Sequence, residues 1–150
     1  MSGRPVRRTV LKEIDEDMRF VRQIGAGDQG VAKLFQRTRD GRLFVRKSYH
    51  ENTPGRLPHE GFILSSAIAP HPRILKIVGF QRASGSGANL FFQYCEGGNL
   101  KDFAREYGRG LPEPFVWHIF VQMAEALALI REFNSVHLFS AGPALVLVVS

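Results

Sequence analysis

The chain has 150 residues, 44% of them hydrophobic, which is enough for one domain with a real core. Its net charge is +6, and Cys95 is the single cysteine. One cysteine excludes an internal disulfide, and without a Cys/His cluster no zinc site is expected; both fit a reducing intracellular compartment, the cytoplasm.

Residues 1–17 read as a flexible leader, with Arg4, Arg7, Arg8 and Lys12 followed by Glu13, Asp15, Glu16 and Asp17. No apolar core follows the arginines, so no secretory signal is expected, and no apolar run reaches membrane-spanning length. No aromatics interleave the basic residues, so a nucleic-acid surface is not expected either. Strands are predicted over 18–25, 31–37 and 43–48, with Met18, Phe20 and Ile24 on one alternating face of the first. Asp40-Gly41 signals the hairpin between the second and third. Arg19, Arg22, Lys33, Arg37, Arg39, Arg42, Arg46 and Lys47 make these hairpins basic, which suits a polyphosphate ligand or solvated strand faces.

Pro58 opens a short helix with Glu60, Ile63, Leu64 and Ile68 on one side, ended by Pro70-His71-Pro72. Gly61 weakens it by about 1 kcal/mol against alanine. Strands are predicted over 74–80 and 90–94, separated by a mobile Ser/Gly-rich loop. A helix over 99–107 follows Gly97-Gly98. A longer helix, 112–133, carries Val116, Ile119, Phe120, Met123, Leu127 and Ile130 at three- and four-residue steps. The fold class is therefore α+β: five strands with one helix, then an all-helical part.

Chemistry concentrates in Ile24-Gly25-Ala26-Gly27-Asp28-Gln29-Gly30-Val31-Ala32, where three glycines stand at G-x-G-x-x-G spacing. Glycine lets a backbone turn tightly and approach a ligand, and the freed N–H groups can face phosphate oxygens. A dinucleotide-binding βαβ unit needs a helix after the third glycine, and none fits before Lys47. No Gly-Lys-Ser/Thr follows, so the Walker A form is absent. An ordinary glycine-rich hairpin stays open on the loop alone.

The joint order of landmarks resembles the protein kinase domain, closest to its Ser/Thr class. Gly25, Gly27 and Gly30 are similar to the glycine-rich loop, and Val45-Arg46-Lys47 to the V-A-I-K element. Glu60 with Ile63 and Leu64 resembles the helix-C glutamate run, and His71-Pro72-Arg73-Ile74 the H-P-N-I turn. Residues 90–100, LFFQYCEGGNL, resemble the hinge, and 115–127 resemble helix E. The resemblance implies a kinase N-lobe (a five-stranded antiparallel sheet plus helix C) over 18–95, including the hinge. Helices D and E of an incomplete C-lobe would occupy 96–137.

The resemblance implies that ATP is held by the loop residues Ile24 to Ala32 and by Lys47 on its phosphates. Glu60 would pair with Lys47, an attraction of about 1–4 kcal/mol near 4 Å, depending on exposure. Phe92 would be the gatekeeper, and Gln93 and Cys95 would offer backbone groups to adenine. Ala32 stands where valine is usual, and Gln93 where glutamate is.

The last stretch departs from the pattern. After Val136-His137 the catalytic aspartate position holds Phe139, the magnesium asparagine would fall at Ala144, and no D-F-G follows. Residues 138–150 form an uncharged apolar tail without kinase character, as if the domain were interrupted. Magnesium belongs to the family's chemistry, but its ligands are missing here. The expectation is an ATP-binding fragment of a Ser/Thr kinase-like domain, inactive by itself. The alternative is a non-catalytic module that meets another protein through an exposed helix E.

Overall fold

β-branched and aromatic residues alternating with polar ones favour a half-buried sheet. The computed structural model, which describes residues 11–27, 30–49, 61, 71–82, 88–108 and 110–132, forms one. Its strands are β1 (Met18–Gly27), β2 (Gly30–Arg37), β3 (Leu43–Tyr49), β4 (Ile77–Arg82) and β5 (Ala88–Gln93). All pair antiparallel, in the order β1-β2-β3-β5-β4. Helices α1 (Leu100–Tyr107) and α2 (Glu113–Glu132) follow. The α+β class expected from sequence is the one observed.

Asp40-Gly41 closes the β2–β3 hairpin as expected. Gly41 takes the left-handed backbone at φ 70°, and the Arg37 N–H donates to the Arg42 carbonyl at 2.8 Å. Asp40 accepts from Arg37 Nε at 2.8 Å and from the Arg42 N–H at 3.2 Å. The Arg37 hydrogen bond is the main reason its carboxyl falls from 3.8 to about 2, against a smaller opposing effect of desolvation. A depressed folded pKa adds stability above the unfolded value and loses it as pH falls through the folded one. Asp40→Asn should therefore lower the urea midpoint above about pH 4, with the gap to wild type closing towards about pH 2. A gap independent of pH would remove the carboxylate from this role.

Register assigns the faces. Leu34↔Val45, Val45↔Phe92, Lys47↔Leu90 and Ile77↔Phe92 put these six residues on one side of the sheet. Ile77, Leu90 and Phe92 form the core cluster there, with Leu90 0% exposed. Gly61 is helical and lies against this face: a Cβ on it would meet both Leu90 methyl carbons at 2.9 Å. A residue expected only to weaken the helix thus permits close approach of the backbone at position 61 to Leu90. Glu60, Ile63, Leu64 and Ile68 lie outside the described residues.

The opposite face is aromatic and basic. Phe20↔Phe35, Phe35↔Phe44 and Arg46↔Phe91 place five side chains together. The Phe20 and Phe35 rings are 5.8 Å apart, and those of Phe35 and Phe91 6.4 Å. The Arg46 guanidinium lies 4.1 Å over Phe35, and that of Arg37 lies 5.1 Å over Phe44. Burial pushes the Arg46 pKa down, and its Nε has no hydrogen-bond partner among the described residues. Arg37 and Arg39 both pair with Glu16, at 2.9 and 3.0 Å. Arg37, Arg39 and Arg46 are thus engaged within the protein.

Three sequence expectations change. Residues 11–17, read as flexible, hydrogen-bond along the β4 edge: Phe80 N–H to Lys12 O at 3.0 Å, and Ile14 N–H to Phe80 O at 2.7 Å. That edge otherwise leaves backbone groups unpaired, and Glu13–Arg82 at 3.3 Å reinforces the pairing. The alternating face of β1 is broken by register shifts at Phe20/Arg22 and Gln23/Gly25, leaving Phe20 and Ile24 exposed on an edge strand. β4 begins at Ile77 because residues 71–74 make a turn, the Ile74 N–H donating to His71 O at 3.1 Å.

Asn99 caps α1 instead of joining it, accepting from the Asp102 N–H at 2.9 Å. Phe103 and Phe115, with ring centroids 5.2 Å apart, link α1 to α2. On α2 the buried residues are Ile119, Gln122 and Ala126. Gln122 tolerates burial because its amide bonds the His118 ring. Phe120, Met123 and Leu127, expected in the apolar stripe, are exposed, as is Trp117.

Candidate functional site

The glycine loop is the tip of the β1–β2 hairpin. Gly25↔Ala32, Ala26↔Val31 and Gly27↔Gly30 are paired across it, and Ile24 stands on the strand leading in. Asp28 and Gln29, at the tip itself, lie outside the described residues. The glycines differ in why they are glycine. A Cβ on Gly30 would meet the Ser48 carbonyl oxygen at 2.0 Å, so Gly30 serves the packing of β2 on β3. A Cβ on Gly27 would meet nothing within 4 Å among the described residues, so their packing does not require glycine there. Open space over that backbone fits a ligand's close approach.

Lys47 lies on β3 between Ala32 on β2 and Leu90 on β5. The pairing brings the lysine to the strand that leaves the glycine loop, on the face shared with Val45 and Phe92. Lys47 Nζ is 5.0 Å from the Tyr49 ring centroid. Val45 and Tyr49 are not among the site residues expected from sequence; their spacing of two from Lys47 on a strand is the signal that finds them. The Glu60 partner expected for Lys47 lies outside the described residues.

Phe92 is 2% exposed and belongs to the core cluster. Its bulk packs in the core on the face that it shares with Lys47. At the chain segment beyond it, the Gln93 N–H donates to Lys76 O at 3.0 Å, and Cys95 O accepts from the Gly98 N–H at 3.3 Å. The Cys95 N–H carries no hydrogen bond among the described residues. Burial pushes the Cys95 thiol pKa up, which disfavours the reactive thiolate and suits a lining residue.

The described residues contain no group of three or more His, Cys, Asp or Glu suited to a metal ion. Phe139, Ala144 and the rest of 138–150 lie outside them. None of the described helices is long and apolar enough to cross a membrane.

A five-stranded antiparallel sheet, a glycine loop at its first hairpin and a lysine on its third strand define the class of protein. The family model for protein tyrosine and serine/threonine kinases matches residues 19–142. The chain belongs to the protein kinase family. Mouse serine/threonine-protein kinase Nek4 is 31% identical over 127 residues, 79% of this chain and 15% of that protein. Xenopus laevis serine/threonine-protein kinase ULK3 is 32% identical over 129 residues, covering 82% and 27%. Arabidopsis thaliana serine/threonine-protein kinase ATG1c is 28% identical over 121 residues, covering 77% and 16%. The chain thus spans less than a third of the length of these curated relatives, and it corresponds to a stretch of a Ser/Thr-type kinase domain.

Proposed function

We propose that the chain binds ATP with the glycine loop over the phosphates and Lys47 on them. The observation that carries this reading is the register Gly25↔Ala32↔Lys47, which brings the loop's exit strand beside the lysine. A compact ammonium next to loop N–H groups suits a polyphosphate. Gln93 O and Cys95 N–H would meet the adenine edge, since Gln93 N–H and Cys95 O are already committed within the protein. Glu60 would orient Lys47. The activity of the longer domain would be phosphoryl transfer from ATP to protein Ser/Thr, in an intracellular setting. Magnesium would supply charge neutralisation on the phosphates in such a domain.

This chain by itself is read as inactive. Phe139 stands where the resemblance puts the base, and loss of a general base costs about 10²–10⁴-fold. Lys47→Ala should weaken ATP binding by about ten- to a hundredfold in calorimetry, the scale of one charge-assisted hydrogen bond. Equal binding by the two would remove Lys47 from the site. A second reading, a non-catalytic module that meets another protein through α2, is favoured by Trp117, Phe120, Val121 and Leu127, each more than half exposed. Nucleotide-independent association that is lost on substituting those residues would support it.

A further inference from the structure

A cavity of about 740 Å³ lies on the far side of the Gln93–Tyr94 segment, bounded by the β2–β3 turn, residues 11–12 and the start of β4. None of Gly25, Gly27, Gly30 or Lys47 lines it, so it is separate from the phosphate-binding part of the site proposed above and meets that site only at Gln93. Its volume falls in the range of ligand pockets, about 300–1,000 Å³. Leu43, Phe44, Ile77 and Val78 supply apolar surface.

The charge around it is one-sided. Lys12, Arg42 and Lys76 line it together with Arg37, against the single carboxylate of Glu96. Arg37 is occupied by Glu16 and Asp40. Arg42 makes only a 3.5 Å contact with Asp40 and keeps 74% of its side chain exposed. Lys12 and Lys76 are exposed, and neither has a side-chain ion pair or hydrogen bond among the described residues. The three available cations come from three separate chain segments around an apolar surface. Carboxylates spaced along an extended chain can reach separate cations, whereas one phosphate group serves a single cluster. Gln93 adds an amide that can bond a peptide backbone.

We propose that this cavity docks an extended acidic peptide segment of a partner protein. One apolar side chain rests on Phe44 and Val78, and flanking carboxylates meet Lys12, Arg42 and Lys76.

The test uses the full chain and a fluorescein-labelled peptide with one phenylalanine flanked on both sides by glutamates. A control peptide has glutamines instead. Fluorescence anisotropy should show the acidic peptide binding wild type at least about tenfold more tightly than the control. The double variant Lys12→Glu, Lys76→Glu should lose the acidic peptide and gain a lysine-flanked one, which also shows that the variant is folded. Lys47→Ala should bind the acidic peptide like wild type. Equal affinity of wild type for the acidic and glutamine peptides overturns the proposal, whatever the variants do. So does undiminished binding of the acidic peptide by the charge-reversed variant. Displacement of the peptide by millimolar inorganic phosphate would make this a small-anion site and overturn it as well.

Discussion

Phe91→Ala is expected to lower unfolding stability by about 3–5 kcal/mol, the usual cost of removing a large aromatic from a packed interior. Phe91 is 0% exposed on β5, the strand between β3 and β4. Its ring meets that of Phe35, which in turn lies under the Arg46 guanidinium. Removing it leaves a void beneath an arginine whose Nε already lacks a partner among the described residues. Small domains have about 5–15 kcal/mol in total, so one truncation would consume a large part of the margin. Urea denaturation followed by circular dichroism measures the loss. A decrease below about 1 kcal/mol would mean that the aromatic face is not a packed core.

Substituting charge into α2 is expected to change association as strongly. Trp117 is 62% exposed, Phe120 59%, Val121 55% and Leu127 53%. Contiguous apolar surface of this kind marks an association site or an aggregation hazard. Burying one such side chain fully is worth about 1.5–3 kcal/mol, so two of them together shift an association constant by about a hundredfold or more. Wild type should therefore show concentration-dependent self-association in sedimentation velocity, and Phe120→Glu with Leu127→Lys should shift it to monomer. Both residues are exposed, so the sheet's melting transition should survive the change. A monomeric wild type over the same concentrations would show that α2 does not associate with itself, leaving a different partner protein as its cover.

Much of the architecture was legible because it rests on local signals. Gly25, Gly27 and Gly30 marked a hairpin tip, Asp40-Gly41 a tight turn, and Gly97-Gly98 and residues 108–110 the helix limits. Backbone geometry and turn chemistry act within a few residues, so the letters alone report them. The family assignment was legible for a related reason. Val45-Arg46-Lys47, His71-Pro72 and the hinge stretch are individually modest, but their order along the chain is specific.

What each side chain meets across the sheet was not legible. Arg46 and Lys47 are neighbours in sequence, yet the pleat sends them to opposite faces, one onto Phe35 and the other beside Leu90. The role of Gly61 depends on Leu90, a residue from a strand far along the chain. The apolar steps of α2 foretold a helix, but which of them are buried depends on neighbours outside it, so Gln122 is covered while Phe120 is exposed. Residues 11–17 carried no local signal for order, because their partners are the β4 edge and Arg37. By itself, the sequence determined the element types, the hairpins and the protein kinase family, all of which follow from short-range stereochemistry and ordered motifs. Only the tertiary structure decided the faces, the packed glycine and the basic cavity behind residues 93–94, because those depend on contacts between distant segments.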